Sequence, residues 1–571
     1  MIPVSAIGPL STNVDVVSPY ILRRNDMSIK RFRFICFLLA STVMFGISAL
    51  PAWSTRYYVN QSAAGGDGAS WETAFSSLGD AVAKAFYKDE IWVAKGTYQP
   101  PDAYGFSVYG GVSIYGGFIG TETSKDEADP TSNPTVLDGA LSGGNSYNTV
   151  YIREFDPVII DGFTIKNAWH GIYVSWNAKA TITRCSIKNN TEPGDSGSGG
   201  AGILISGAKQ VDIDQCIVGS NSSAIGGGIN IGDSTTVTIK RSIITDNFAT
   251  YTGGAVNVVN AQVLIENTVF YGNRTSEGPG PSVYTTNDSA VSVTNCTFYQ
   301  NTGPHGNAVC SFSPAVATVT NCIIADNTSG SREHFYTDVP EQLTVQFSLI
   351  PASLNSIYTL HHGEYGTPPA DGGGNVIGAV SFANPSSLYG ADGLPFTADD
   401  GLMLSSNSPG IDIGTSATPQ TDIIGYSRLA GNGVDAGAYE YGGSAPAVLN
   451  FTAAVSTYFD SYSVGRRHAA RLVITGSHPT PVDVYVAIFM PDGNFLCCSG
   501  WRVFGPMNTA VPMLSGWTVE DTDENAMVIG LPALPLGTYK WVLAVVESGA
   551  SIADQAKWLA TSEALWSFVE E

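Results

Sequence analysis

Charge is scarce in this chain, and positive charge scarcest. Only 13% of its 571 residues are Asp, Glu, Lys or Arg, and 27 Lys and Arg stand against 50 Asp and Glu, a formal net charge of −23. So acidic a surface repels nucleic acid and other polyanions unless divalent cations intervene. The central region also has no uninterrupted helix-length amphipathic stretch, which excludes leucine-rich, ankyrin and tetratricopeptide repeats. Histidine and cysteine are few, and no His/Cys cluster has zinc spacing. After the first 54 residues no apolar run is long enough to span a membrane.

What is present is one block written six times between Ala180 and Asn327. An apolar residue opens each copy: Ile182, Ile213, Ile239, Ile265, Val293 and Val319. Three places on sits a small residue: Cys185, Cys216, Ser242, Thr268, Cys296 and Cys322. Five further on, each copy has Asn: Asn190, Asn221, Asn247, Asn273, Asn301 and Asn327. A period of 26 to 31 residues is the mark of a solenoid, whose units bury their apolar edges against each other.

Each unit is rich in Val, Ile and Thr with short alternation, and a second strand follows glycine clusters such as Gly253-Gly254. Two or three short strands per unit, stacked at ~4.8 Å, predict an all-β parallel β-helix. The apolar row then fills the interior and the small row lies near a corner. The Asn row forms a structural ladder at a turn, where Asn tolerates left-handed backbone and its amide can reach the next coil. Asn267, Asn295 and Asn321 mark a second turn position. Asp214, Lys240 and Glu266 predict an outward ladder of alternating charge. Stacked side chains run parallel, so buried thiols are expected at Cys185, Cys216, Cys296 and Cys322. Disulfides between adjacent coils, Cys185 with Cys216 and Cys296 with Cys322, are the alternative.

Residues 1–54 read as an export signal: Lys30-Arg31-Phe32-Arg33, the apolar run Phe34 to Leu50, then Pro51-Ala52-Trp53-Ser54 with small residues at Ala52 and Ser54. The start is Met1 or Met27, and a retained anchor is the alternative. Cleavage leaves 22 basic and 48 acidic residues, a balance of −26. Residues 55–441 carry the solenoid grammar, 442–446 read as a linker, and 447–571 predict a β-sandwich of longer alternating strands. Ser77-Leu78-Gly79-Asp80 resembles a capping box, with Leu78, Val82 and Phe86 on one face of a short helix that covers the first coil.

Tyr58-Val59-Asn60, Gly68-Ala69-Ser70-Trp71, Gly96-Thr97-Tyr98 and Ile114-Tyr115-Gly116-Gly117-Phe118 follow one another in order, and Ser408-Pro409-Gly410-Ile411-Asp412 and Asp435-Ala436-Gly437-Ala438-Tyr439-Glu440 come near the far end. This sequence, over about 57–441, resembles bacterial secreted right-handed parallel β-helix repeat proteins of the choice-of-anchor Q and polymorphic outer-membrane type. The resemblance implies a pectin lyase-like fold and a secreted or cell-surface location. No sortase motif or terminal apolar helix follows the predicted sandwich.

Such folds often carry carbohydrate-active enzymes. A lyase would need a carboxylate cluster and a Lys or Arg base. The nearest approach is Asp161, Asp212 and Asp214 with Lys188, Lys240 and Arg241, and alternating charge along the coils argues against convergence. A polygalacturonase-type hydrolase should show paired aspartates, Gly-His-Gly and Arg-Ile-Lys, but Trp169-His170-Gly171 stands alone, and there is no nucleophile elbow. Aromatics point to binding instead: Trp169, His170, Tyr173 and Trp176 cluster around one coil, suited to sugar rings or to packing under a loop. Asp392, Asp399 and Asp400 could hold Ca²⁺ at a double turn, and no other cofactor is expected. Arg428 is expected to pair with Asp435 or Glu440 and hold the final coil. The sequence thus predicts an exported, non-catalytic protein that binds extracellular polysaccharide or a surface protein. A polysaccharide lyase on uronate polymers and a purely structural matrix component remain the alternatives.

Overall fold

The structure, a computed structural model, describes residues 55–443 apart from 155, 195–198, 328–333, 355–366, 416–418 and 429. Between 451 and 568 it describes strands alone, and the predicted export signal and linker lie outside the described residues. Three long sheets of 12, 11 and 10 strands run along the stack, the first two within 56–377 and the third within 106–337. Successive coils contribute one strand to each. Lys179–Thr183, Ser186–Lys188 and Ile203–Ser206 belong to the first, second and third sheets in turn. Neighbouring strands pair in parallel, Lys179–Thr183 between Pro157–Asp161 and Gln210–Asp214. The chain here is a parallel β-solenoid.

The repeat positions stack as expected. Ile182, Ile213, Ile239, Ile265, Val293 and Val319 are consecutive register partners in the first sheet, and all are buried. Alternation puts every second residue of each strand inside, so a one-residue slip would turn the whole row to solvent. Cys185, Cys216, Cys296 and Cys322 are buried thiols without disulfides. Each Sγ is a weak donor to backbone carbonyls, such as Cys216 to Ile182 O at 3.4 Å. Burial pushes the thiols of Cys216 and Cys296 well above the ordinary value. The row runs on to Ser348, whose hydroxyl accepts from the Cys322 N–H at 3.0 Å.

The asparagine row is a continuous ladder. Nδ2 and the backbone N–H of Asn221 both donate to Oδ1 of Asn247, at 3.0 and 3.1 Å, and Asn247 repeats this with Asn273. One detail differs from expectation. The left-handed residue of each turn is the one before the asparagine: Asn189, Ser220, Asp246, Gly272, Gln300 and Asp326 all have φ between 48° and 64°. The asparagine supplies hydrogen bonds and its predecessor supplies the bend. At the other turn, Asn267, Asn295 and Asn321 are themselves left-handed, with φ of 48°, 52° and 53°.

A helix spans Leu78–Lys84, its N-terminus capped by Ser77 Oγ, which accepts from Asp80 N–H at 3.3 Å. It buries Leu78, Ala81 and Val82. Phe86, expected on the same face, lies beyond the helix end and is 73% exposed, because the chain turns extended at Ala85. Strands between 451 and 568 form two mainly antiparallel sheets of three and seven strands.

The closing segment does not sit where the sequence suggested. Described residues between 402 and 439 pack sideways on the outer face of the second sheet. Leu402, Leu404, Ile423, Ala436, Ala438 and Tyr439 cluster with Ile243, Val269, Tyr299, Ile323 and Leu349. Arg428 does lie beside Glu440, with Nη1 3.5 Å from Oε2 and both side chains almost fully buried. It also donates to Oδ1 of Asn267 from Nη2 at 2.6 Å, so it fastens the segment to the middle of the stack rather than to its final coil.

Candidate functional site

The strand Ala168–Ser175 belongs to the third sheet. Ile172 and Val174 point inward and are fully buried, which turns Tyr173 outward. Tyr173 is in register with Tyr151 one coil earlier, and their rings stack at 5.1 Å and 18°. Ser175 Oγ lies 3.1 Å from Tyr151 Oη. At the start of the strand, half-buried Trp169 meets Tyr147 edge-to-face at 4.6 Å, and Tyr147 meets Tyr104 at 5.6 Å. Tyr104 is 66% exposed and Tyr147 41%. The rings thus step along the solenoid axis over neighbouring coils.

Two of the four predicted aromatic-site residues depart from expectation. His170 is buried, with Nδ1 3.1 Å from the Gly200 carbonyl oxygen, and burial lowers its pKa below the ordinary value. It fixes the strand and does not face solvent. Trp176 lies in the following turn, exposed, with a left-handed φ of 57°, and makes no ring contact among the described residues. Tyr104, Tyr147 and Tyr151 were missed. The signal for Tyr151 was available, since Val150-Tyr151-Ile152 repeats the pattern of Ile172-Tyr173-Val174.

Farther along, the same outward column is interrupted: Asn230, Tyr284 and Tyr336 stay half-buried, but Leu204, Asn257 and Cys310 are buried. Gly253 shows why. With φ of 63° it passes so near Asn257 that a Cβ there would lie 2.5 Å from that residue's Cβ. The rings of Tyr104, Tyr147 and Trp169 thus belong to the early coils, and a second group, Tyr284, Phe312 and Tyr336, lies on the later ones.

The carboxylates and bases proposed for catalysis divide between two sheets. Asp161, Asp212, Asp214 and Lys240 lie on strands of the first sheet, and Lys188 on the second. Arg184 grips Asp161 in bidentate fashion, Nε to Oδ1 at 2.8 Å and Nη2 to Oδ2 at 2.6 Å. Arg241 grips Asp214 in the same way. These hydrogen bonds, the largest influence on each, raise both guanidinium pKa values, which opposes any role as a base. Lys240 pairs with Glu266 at 3.2 Å, so one step of the predicted charge ladder exists, but Asp214 is taken by Arg241 instead. Asp212 accepts from Gln210 Nε2 at 2.9 Å.

The acidic loop uses its carboxylates on itself. Asp399 Oδ2 accepts the N–H groups of Ala391 and Asp392 at 2.6 and 3.1 Å. Asp392 Oδ1 accepts Leu394 N–H at 2.7 Å. Asp400 is buried and accepts Phe396 N–H at 3.0 Å and the Tyr439 hydroxyl at 2.8 Å. Burial raises its pKa to about 6. No three of the His, Cys, Asp or Glu side chains among the described residues converge as a metal site. Of the three carboxylates singled out for Ca²⁺, Asp392 and Asp399 share the Thr397 hydroxyl, at 3.5 and 2.8 Å, and Asp400 turns to Tyr439.

This loop also bounds a cavity of about 290 Å³. Pro395 and Phe396 of the loop line it together with Pro130 and Thr131, and with Thr164, Arg184, Ser186 and Gln215 of the early coils.

Residues 127–276 and 196–338 match the family model described as right handed beta helix region. The matched stretches are the repeat block and the coils that flank it. Among solved structures, the chain is similar to one described as the crystal structure of pectate lyase Pel9A, at 16% identity and a TM-score of 0.39, covering 68% of this chain and 97% of that one. No curated protein matches the chain.

Proposed function

We propose that this right-handed β-helix is an exported, non-catalytic protein that binds neutral polysaccharide, gripping it on the early coils of the third sheet. The supporting observation is the run of rings at Tyr104, Tyr147 and Trp169, beside the Tyr151–Tyr173 stack. Tyrosine rings exposed at Tyr104 and Tyr147, and the half-buried Trp169 beside them, offer apolar faces to sugar C–H groups and polar edges to hydroxyls. The ring-to-ring steps follow the coil spacing of ~4.8 Å, so a linear chain laid along the axis would meet one ring after another. The net charge of −23 favours a neutral polymer over a polyanion. In this reading the helix at Leu78–Lys84 covers the first coil, and the strands from 451 to 568 form a separate sandwich for attachment.

Affinity electrophoresis through gels containing neutral polysaccharides tests the reading. The wild-type chain should be retarded by at least one, and Trp169→Ala or Tyr147→Ala should restore mobility. Equal retardation of both variants and the wild type would reject the aromatic face. The lyase alternative is read separately, as absorbance of unsaturated products on uronate polymers. The pairing of Arg184 and Arg241 with carboxylates argues against it, and product formation abolished by Lys240→Ala would favour it.

A further inference from the structure

We infer that the cavity under the Pro395-Phe396 loop is a second binding site, on a different sheet from the aromatic face, and that it takes a single neutral pyranose residue. It exists only because the closing segment folds back along the solenoid. Residues near 396 thereby meet coils whose strands lie some two hundred residues earlier, at Thr164 and Ser186.

Phe396 carries the argument. It is a bulky residue with φ of 63°, a backbone state that disfavours any side chain with a Cβ. Its N–H is tied to Oδ2 of buried Asp400, which in turn accepts the hydroxyl of fully buried Tyr439. Glycine would satisfy this turn without strain, so the ring is held at the cavity wall at a conformational cost. Strain of this kind concentrates where a side chain must be placed for a ligand.

The chemistry of the walls selects the occupant. Phe396, Pro395 and Pro130 give apolar faces. Thr164, Ser186 and Gln215 give hydroxyl and amide groups that both donate and accept. Arg184 adds N–H donors, but Asp161 already balances its charge through two hydrogen bonds. An anion gains no net countercharge here, and Asp126 and Asp129 stand close enough to influence their surroundings and Arg184. A cation would meet the guanidinium. A neutral ring with C–H faces and a hydroxyl rim matches both parts of the lining. The volume, about 290 Å³, lies at the small end of ligand pockets and suits one sugar ring rather than an oligomer.

The test is saturation-transfer NMR and calorimetry on the full chain with methyl glucoside, methyl galactoside and methyl mannoside, and with glucuronate as the charged control. At least one neutral glycoside should bind and glucuronate should not. Phe396→Gly, which relieves the left-handed strain, should weaken binding about tenfold. Ser186→Ala should weaken it without loss of the thermal transition. All titrations are made in the Trp169→Ala background, so that the aromatic face is weakened and the monosaccharide signal reports on this cavity. Absence of binding by every neutral glycoside, or full binding by a folded Phe396→Gly protein, would overturn the inference.

Discussion

Arg428 reaches 161 residues back along the chain to place Nη2 2.6 Å from Oδ1 of Asn267. The same Nη2 also donates to the carbonyls of Gly437 and Ala438, at 2.9 and 3.0 Å, and Nη1 faces Glu440. One guanidinium thereby ties the closing segment to itself and to the solenoid. Burying that charge is tolerable only with carboxylates nearby, and Asp422, Asp435 and Glu440 are all buried with it. Arg428→Met would remove the donor that Asn267 Oδ1 and the Gly437 and Ala438 carbonyls share, and the positive charge beside these carboxyl groups. The expected loss is about 3–5 kcal/mol of stability, the usual result of removing one partner from a buried ionic group. Urea denaturation checks the size of the loss. Limited proteolysis checks its place, since new cleavage should fall within residues 402–441, not in the coils.

The same cluster predicts a pH dependence. Burial pushes the Glu440 carboxyl from its ordinary 4.5 up to about 8, outweighing Arg428, whose own pKa burial lowers. A carboxyl with a raised pKa binds its proton more tightly in the folded chain. Its contribution to stability is therefore complete below about pH 4.5 and is lost as pH rises toward about 8. Asp400 acts in the same direction between 3.8 and about 6. Other carboxylates, such as Glu122 and Asp138, have lowered values and act oppositely. The useful measurement is thus a difference. Wild-type stability minus that of Glu440→Gln should fall steadily from pH 5 to pH 8, and a flat difference would show that Glu440 is ionised throughout.

The coils were legible because their signal repeats. A single Asn is ambiguous, but Asn190 through Asn327 recur at one offset from an apolar residue, and stacking physics turns that offset into a ladder. The thiols were legible for the same reason: parallel stacking keeps Cys185 and Cys216 side by side without facing. Contacts between distant segments were not legible. Nothing near Asn267 announces Arg428, and nothing near Ser186 announces Phe396, because neither pairing belongs to the repeat. The aromatic site was half visible. Trp169 and Tyr173 stood out by local density, whereas Tyr104 and Tyr147 reach them only through the coil spacing. His170 looked available, but its place in the strand buries it.

The ladder makes an asymmetric prediction. Asn247 sits inside it, donating to Asn273 and accepting at Oδ1 from both the Nδ2 and the N–H of Asn221. Asn247→Ala strands the buried backbone N–H of Asn221, takes one of two acceptors from its Nδ2, which keeps the Ile187 carbonyl at 3.0 Å, and leaves Asn273 Oδ1 with fewer partners. Each stranded group costs about 1–3 kcal/mol. Asn190 stands at the ladder's start, where among the described residues its Oδ1 accepts the Ala168 N–H alone. Asn190→Ala should therefore cost less than Asn247→Ala, and chemical denaturation of both variants compares them directly.

The cysteine row can be tested by reactivity. Cys185, Cys216, Cys296 and Cys322 are buried free thiols, and burial holds Cys216 and Cys296 far above the pH at which thiolate forms in water. A thiol reagent should label none of the four in the native chain and all of them after denaturation, with no reductant present. Dithiothreitol should leave the thermal transition of the solenoid where it is. Labelling that appears only after reduction, localised by peptide mapping to Cys185 and Cys216, would mean that adjacent coils are cross-linked. Their strands would then have to give up the parallel side-chain stacking on which the register of the first and second sheets depends.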